Sequence, residues 1–210
     1  MIATPPPVSL DPTDPRMAFR FSGGRLCLNF AATLGTRHTT PIERLPNQAA
    51  LARWIAEAGL ADGPDAVDAS STVMTDVREL REAIYRLVLA VMHGQDLAHE
   101  DLARVNTASA QPDLAPQLDR VSQGTGDRLQ PAIRWMSGAG AGAGVATVAR
   151  DAVVLLSSPV FTRVKECENP ECSLLFFDES QARRRRWCSM ERCGNLAKLA
   201  TYRSRPRHSS

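Results

Sequence analysis

Four cysteines stand near the end of this 210-residue sequence in the pattern C-x4-C-x15-C-x4-C: Cys167, Cys172, Cys188 and Cys193. Two equally spaced pairs parted by a short segment suit a tetrahedral thiolate site, each pair bringing two sulfurs together from one short stretch of chain. Zinc is the first choice, since it accepts four thiolates at about 2.3 Å without redox chemistry. Two disulfides, or four free thiols, are the plainer reading. A chain expected in the reducing cytoplasm speaks against the disulfides. An iron–sulfur cluster uses the same donors and stays open as an alternative. Four protein sulfurs close the coordination sphere, so the expected ion, one Zn2+, is structural. It would hold together a segment too short to build a core of its own.

The charges are as unevenly spread as the cysteines. Net charge is +2, yet Gln181 to Ser210 holds nine basic residues and one acid, Glu191, a local charge of +8. The remaining 180 residues therefore carry −6. A mildly acidic body with a basic end points to a polyanionic partner at that end. Hydrophobic residues at 43% and charged residues at 23% are globular proportions, and no apolar run approaches the ~20 residues of a membrane span. Residues 1–17 lack the basic and apolar regions of a secretory signal and read as a disordered leader.

The elements that must position the cysteines follow from their neighbours. CENPEC supplies a turn, Leu174 to Phe177 reads as a strand, and Asp178 to Ala182 as a turn. Arg183 to Trp187 is expected to return as the second strand of a hairpin. Ser189 reads as the N-cap of a helix running to about Tyr202, with Cys188 at N′ and Cys193 at N4, two positions that meet across a helix start. Turn, hairpin, then ligands at a helix start is a treble-clef layout.

Upstream, the periodicity is mainly helical. Phe19 to Phe21 reads as a short strand and Leu26 to Leu34 as an apolar helix. Further helices are expected from Pro46 to Gly59, Thr72 to Met92, Glu100 to Ala110 and Val145 to Ser157, with a β-hairpin around Leu114–Leu118 and Leu129–Trp135. The run SGAGAGAG, Ser137 to Gly144, reads as a flexible loop. It lacks the G-x-x-x-x-G-K-[ST] pattern of a phosphate cradle. The four histidines have no motif partners and no nucleophile–base arrangement is present, so nothing supports an enzyme.

The string CENPECSLLFFDESQARRRRWCSMERCGNLAKLATYRSR resembles the CGNR zinc finger. FRFSGGRLCLNFAATLGTR and ERLPNQAALARWIAEAGL resemble the ABATE domain that accompanies this finger. The resemblance implies a helical domain over 18–158, a finger over 159–205 and a tail at 206–210. It also implies a stress-induced transcription regulator of bacterial type that binds DNA through a zinc-dependent finger. Two departures stand out. Leu196 replaces the arginine of Cys-Gly-Asn-Arg, and Asn29 and Ala32 occupy positions where the family carries Asp and Asn. The altered pair bears on any small-molecule effector of the helical domain.

The expected nucleic-acid contacts are Arg183, Arg184, Arg185 and Arg186 on the returning strand, then Arg192, Asn195, Lys198, Tyr202, Arg203 and Arg205 along the helix. Met190, Cys193, Leu196, Ala197 and Ala200 form its inward face. A zinc-stabilised protein-interaction or RNA-binding module is the competing expectation. The sequence assigns no DNA site and no oligomeric state.

Overall fold

The computed structural model describes residues 6–8, 10–122, 129–135 and 140–203; the side chains of 120–122, 129–130 and 200–203 lie outside that description. The architecture is mainly helical with three small antiparallel sheets of two strands each among these residues. No helix among them is long and apolar enough to cross a membrane. Two compact units are formed: one from 1–44, 88–96 and 155–210, the other from 45–87 and 97–154.

The first unit begins in the segment expected to be a disordered leader. Part of that segment is structured: the Val8 N–H donates to Pro41 O (2.8 Å), and a single turn, Pro15–Met17, is capped by the Asp14 carboxylate and buries Met17. Phe19 to Phe21 is not a strand. It is irregular chain with its two rings edge-to-face at 6.4 Å. Helix α1 (Leu26–Ala31) buries Cys27, Leu28, Phe30 and Ala31. Strands β1 (Leu34–Gly35) and β2 (Ile42–Glu43) follow as a short ribbon.

The second unit holds α2 (Gln48–Glu57), most of α3 (Met74–Met92), α4 (His99–Ser109), the hairpin β3 (Pro116–Ser122) and β4 (Leu129–Trp135), and most of α5 (Ala141–Leu156). Pro131 is tolerated in β4 because a two-stranded ribbon has only edge strands. The Trp135 indole N–H donates to Gly59 O (2.6 Å), and Gly59 itself closes α2 at φ +75°. The glycine–alanine run is not a loop where it is described. From Ala141 it is the first turn of α5, begun by the Ala141 N–H donating to Asp68 O (2.7 Å). Its smallness serves packing: a Cβ on Gly144 would meet Ile55 Cδ1 at 3.0 Å. Residues 137–139 lie outside the described residues.

At the start of α2 the Asn47 side chain accepts a hydrogen bond from the Ala50 N–H (2.9 Å), satisfying one of the orphan donors of the first turn. Asn47→Ala is expected to cost about 1 kcal/mol. Urea unfolding of the zinc-loaded protein, with unchanged m-value, checks this.

Candidate metal centre and basic surface

The finger is built on β5 (Val164–Glu166) and β6 (Leu175–Phe177), paired antiparallel with Val164 opposite Phe177 and Glu166 opposite Leu175. The hairpin therefore precedes the arginine run. Between its strands lies the CENPEC turn, closed by the Cys172 N–H donating to Asn169 O (2.8 Å) and by the Glu171 N–H donating to Asn169 Oδ1 (3.1 Å). This turn presents Cys167 and Cys172.

The second pair sits at a helix start, as the spacing implied, but that start is wider than a regular one. Ser189 is extended and its side chain makes no capping bond. Met190–Gly194 then forms a π-helical turn, with the Gly194 N–H reaching back to Ser189 O (3.1 Å), before α6 (Asn195–Arg203) continues. Gly194 lets the Met190 side chain fold close over the turn: a Cβ there would lie 2.7 Å from Met190 Sδ and displace it.

All four sulfurs come within 4.8 Å of one another. Cys172 Sγ lies 3.8 Å and Cys193 Sγ 3.7 Å from Cys188 Sγ. Disulfide sulfurs would be about 2.05 Å apart, whereas corners of a regular tetrahedron drawn at a 2.3 Å zinc–sulfur distance are about 3.8 Å apart. The donor set fits zinc. The backbone supports it as well, with the Cys188 N–H donating to Cys167 Sγ (3.5 Å). The chemistry of the thiols agrees. Hydrogen bonds from Cys172 and then Cys188 pull the Cys167 thiol down to about 2, while the shared hydrogen bond with Cys167 pushes Cys172 up to about 12 and Cys188 upward too. Thiols this crowded do not ionise together unless a cation sits among them.

Around the sulfurs, Ala32, Leu174 and Phe176 complete a small buried cluster, with Trp187 against it. The β1–β2 connection is tied to the finger: the Arg37 N–H donates to Ser173 Oγ (2.9 Å), and His38 Nε2 meets Glu166 Oε1 at 2.7 Å. The Phe177 N–H donates to Gly23 O (2.8 Å).

The arginine run corrects the expectation of a returning strand. Residues 183–186 are irregular, and Arg183 takes φ +51°. The reason is Asp178, which is fully buried and gathers this segment: its carboxylate accepts from Lys165 Nζ (2.7 Å), Ser180 N–H (3.0 Å), Ser180 O–H (2.6 Å) and Arg185 N–H (2.9 Å). Burial opposes its charge most strongly, but the hydrogen bonds from Lys165, Ser180 and Arg185 together outweigh it and hold the carboxyl below its usual range. Lys165 Nζ also donates to the carbonyls of Arg183 and Arg185 (2.7 and 3.2 Å), and the Glu168 N–H donates to Arg186 O (3.0 Å), so the segment is tied to Lys165 and Glu168 instead of pairing with β6. Asp178 and Lys165 were missed from sequence. The Asp-x-Ser spacing of an Asx-type turn was the available signal for the former.

The expected nucleic-acid residues separate into two groups. Arg185 is half-buried, donates to Cys188 O (2.6 Å) and stacks 4.7 Å from the Phe176 ring. Arg186 pairs with Glu168 Oε2 (2.6 Å) and lies over Trp187. Arg183, Arg184, Arg192 and Lys198 are exposed, with no carboxylate in ion-pair distance among the described residues. Asn195 is exposed and donates to Glu191 O (3.2 Å). The Tyr202 and Arg203 side chains, and Arg205 entirely, lie outside the described residues. The inward face is also narrower than expected: Cys193 is buried, but Met190 and Leu196 are 51% and 54% exposed, and the Ala200 side chain lies outside the described residues.

A mainly helical protein with a C-terminal, treble-clef-like finger that binds one zinc ion is the class these features define. Residues 24–159 match the ABATE model, described as "putative stress-induced transcription regulator", and residues 163–206 match the CGNR zinc finger. The chain belongs to this family of zinc-binding regulators, and neither description is of an enzyme family. No curated protein matches it.

Proposed function

We propose that the chain is a DNA-binding transcription regulator without catalytic activity, in which Cys167, Cys172, Cys188 and Cys193 hold one structural zinc and the finger contacts phosphate. The observation that carries the reading is the split among the basic residues. Arg185 and Arg186 are engaged within the finger itself, whereas Arg183, Arg184, Arg192 and Lys198 are exposed, with no carboxylate in ion-pair distance among the described residues. Positive groups fixed on a rigid, metal-held frame suit a phosphate track, since less ordering is left to be done on binding. Leu196 stands where the family pattern has arginine, so on this surface the phosphate contacts fall to its neighbours.

The test is anisotropy of labelled duplex DNA with the zinc-loaded protein over a range of salt. Affinity is expected to fall linearly on a log–log plot. The Arg183→Gln, Arg184→Gln double variant should reduce the slope by about 2, since each phosphate contact contributes roughly 0.9. No binding at low salt, or a slope the variant leaves unchanged, would overturn the reading. The exposed Met190, Leu196 and Leu199 favour a second reading, a zinc-stabilised protein-interaction module. Stronger binding to single-stranded RNA than to duplex DNA would support the RNA-binding reading.

A further inference from the structure

A cavity of ≈ 190 Å³ lies within the first unit, lined in part by Cys172, Cys188 and Cys193 of the metal centre and by Arg192 of the basic surface. Its walls come from the segment between Arg16 and Arg44, from the CENPEC turn, and from the start of the finger helix. The cavity has two chemical halves. Leu34, Ile42, Leu174 and Leu196 supply apolar wall; Arg20, Arg44 and Arg192 supply cationic wall, against one acid, Glu171.

Arg44 gives the cavity its character. It is 4% exposed, and burial works against its charge. Its Nε donates to Arg16 O (2.8 Å) and its Nη1 to Ala32 O (3.2 Å), so two of the five guanidinium N–H groups are satisfied by carbonyls that also fix the plane of the fork. No carboxylate meets it at ion-pair distance among the described residues. At longer range the Glu43 carboxylate, and then the Cys172 sulfur of the metal centre, favour its charge, but burial outweighs both. Gly35 makes the room: a Cβ there would fall 2.2 Å from Arg44 Nη1. A buried guanidinium with N–H groups left over for the cavity, beside two further arginines without an ion-pair partner among the described residues, suits an anionic occupant. Arg16 differs from these, because Asp14 already pairs with it (2.8 Å).

We propose that this cavity binds a small organic anion, a carboxylate with an apolar body, its head on the Arg44 fork and its body against Leu34, Ile42 and Leu196. The size sets the class: the volume is below the ~300–1,000 Å³ of pockets for drug-sized ligands. The apolar half selects against bare inorganic anions, since filling it with water gains nothing from burial. Arg192 and Leu196 belong to the finger, so an occupant would touch the finger and the α1–β2 segment at once.

The experiment is titration of the zinc-loaded full chain by ligand-observed NMR with benzoate, its neutral isostere benzamide, and inorganic phosphate. Binding is read without DNA, so its outcome does not depend on the DNA reading. Benzoate should bind saturably at millimolar concentration or below, and benzamide at least about tenfold more weakly. Leu196→Trp, an exposed position that a larger ring would swing into the cavity, should abolish benzoate binding with zinc content and urea midpoint retained. Arg192→Gln should weaken it. Equal binding of benzoate and benzamide, binding of phosphate but not benzoate, no saturable binding of any probe, or a Leu196→Trp protein with unchanged benzoate affinity would each overturn the proposal.

Discussion

Replacing Cys193 by serine, or stripping the protein with a chelator, is expected to remove the single zinc and dissolve the finger. The sulfurs are themselves a large part of its core: Cys167, Cys188 and Cys193 are buried with Ala32, Leu174 and Phe176, and strands β5 and β6 have three residues each. So little apolar surface cannot offset the ordering entropy of some forty residues at ~1–2 kcal/mol each for the backbone. Structural zinc contributes about 10–16 kcal/mol of apparent binding free energy to such segments, which is as much as the whole stability of an ordinary domain. Metal analysis should find one zinc per chain in the wild type and none in Cys193→Ser. Limited proteolysis should open new sites in 164–203. Protection near residue 37 should fall as well, because the Arg37 N–H loses Ser173 and His38 loses Glu166. Cys27→Ala is the contrast: Cys27 is buried in α1, outside the cluster, and its loss should leave zinc content intact. A Cys193→Ser protein with full zinc and wild-type protease resistance would remove the basis of the metal assignment.

The parts of this site that were legible in sequence are those set by short-range rules. The ligand spacing implied the metal, and Cys188 and Cys193 at N′ and N4 implied the helix start, which the structure keeps despite the π turn. Asn47, Gly59 and the period of α3 marked helices for equally local reasons. What failed was pairing over distance. The partner of β6 is β5, on the other side of the CENPEC turn, and both candidates are short stretches with similar strand propensity. The choice is made by Asp178 and Lys165, thirteen residues apart, which occupy the backbone of 183–185 and leave the arginines as irregular chain. Likewise the glycine–alanine run looked flexible because composition does not report that Ile55 packs against Gly144. The cavity was invisible for the same reason: Arg44 and Arg192 are 148 positions apart, and nothing local distinguishes a buried arginine from a solvated one.

Asp178→Asn should be the most damaging substitution in the finger outside the four cysteines. The isostere keeps the volume but removes the charge that Lys165 Nζ, the Ser180 N–H and O–H and the Arg185 N–H all address. Hydrogen bonds to a charged acceptor contribute about 1.5–3 kcal/mol each, and a buried donor left unmet adds its own desolvation cost. Asn can still accept with its oxygen, and Lys165 remains a third exposed, so the net loss expected is about 2–3 kcal/mol rather than the sum. The effect should reach the metal, since the chain from Asp178 leads through Arg185 directly to Cys188; zinc release to a chelator should quicken by about tenfold or more. The sign with pH follows from the depressed carboxyl. Its contribution is complete above the unfolded value of about 3.9 and is lost only as pH falls from there through the lower folded value. Across pH 5 to 8 the gap in urea midpoint between wild type and Asp178→Asn should therefore stay constant. A gap that changes over that range would mean that a different group carries the stabilisation, and no gap at all would mean that Lys165 and the turn hold 183–185 without the charge.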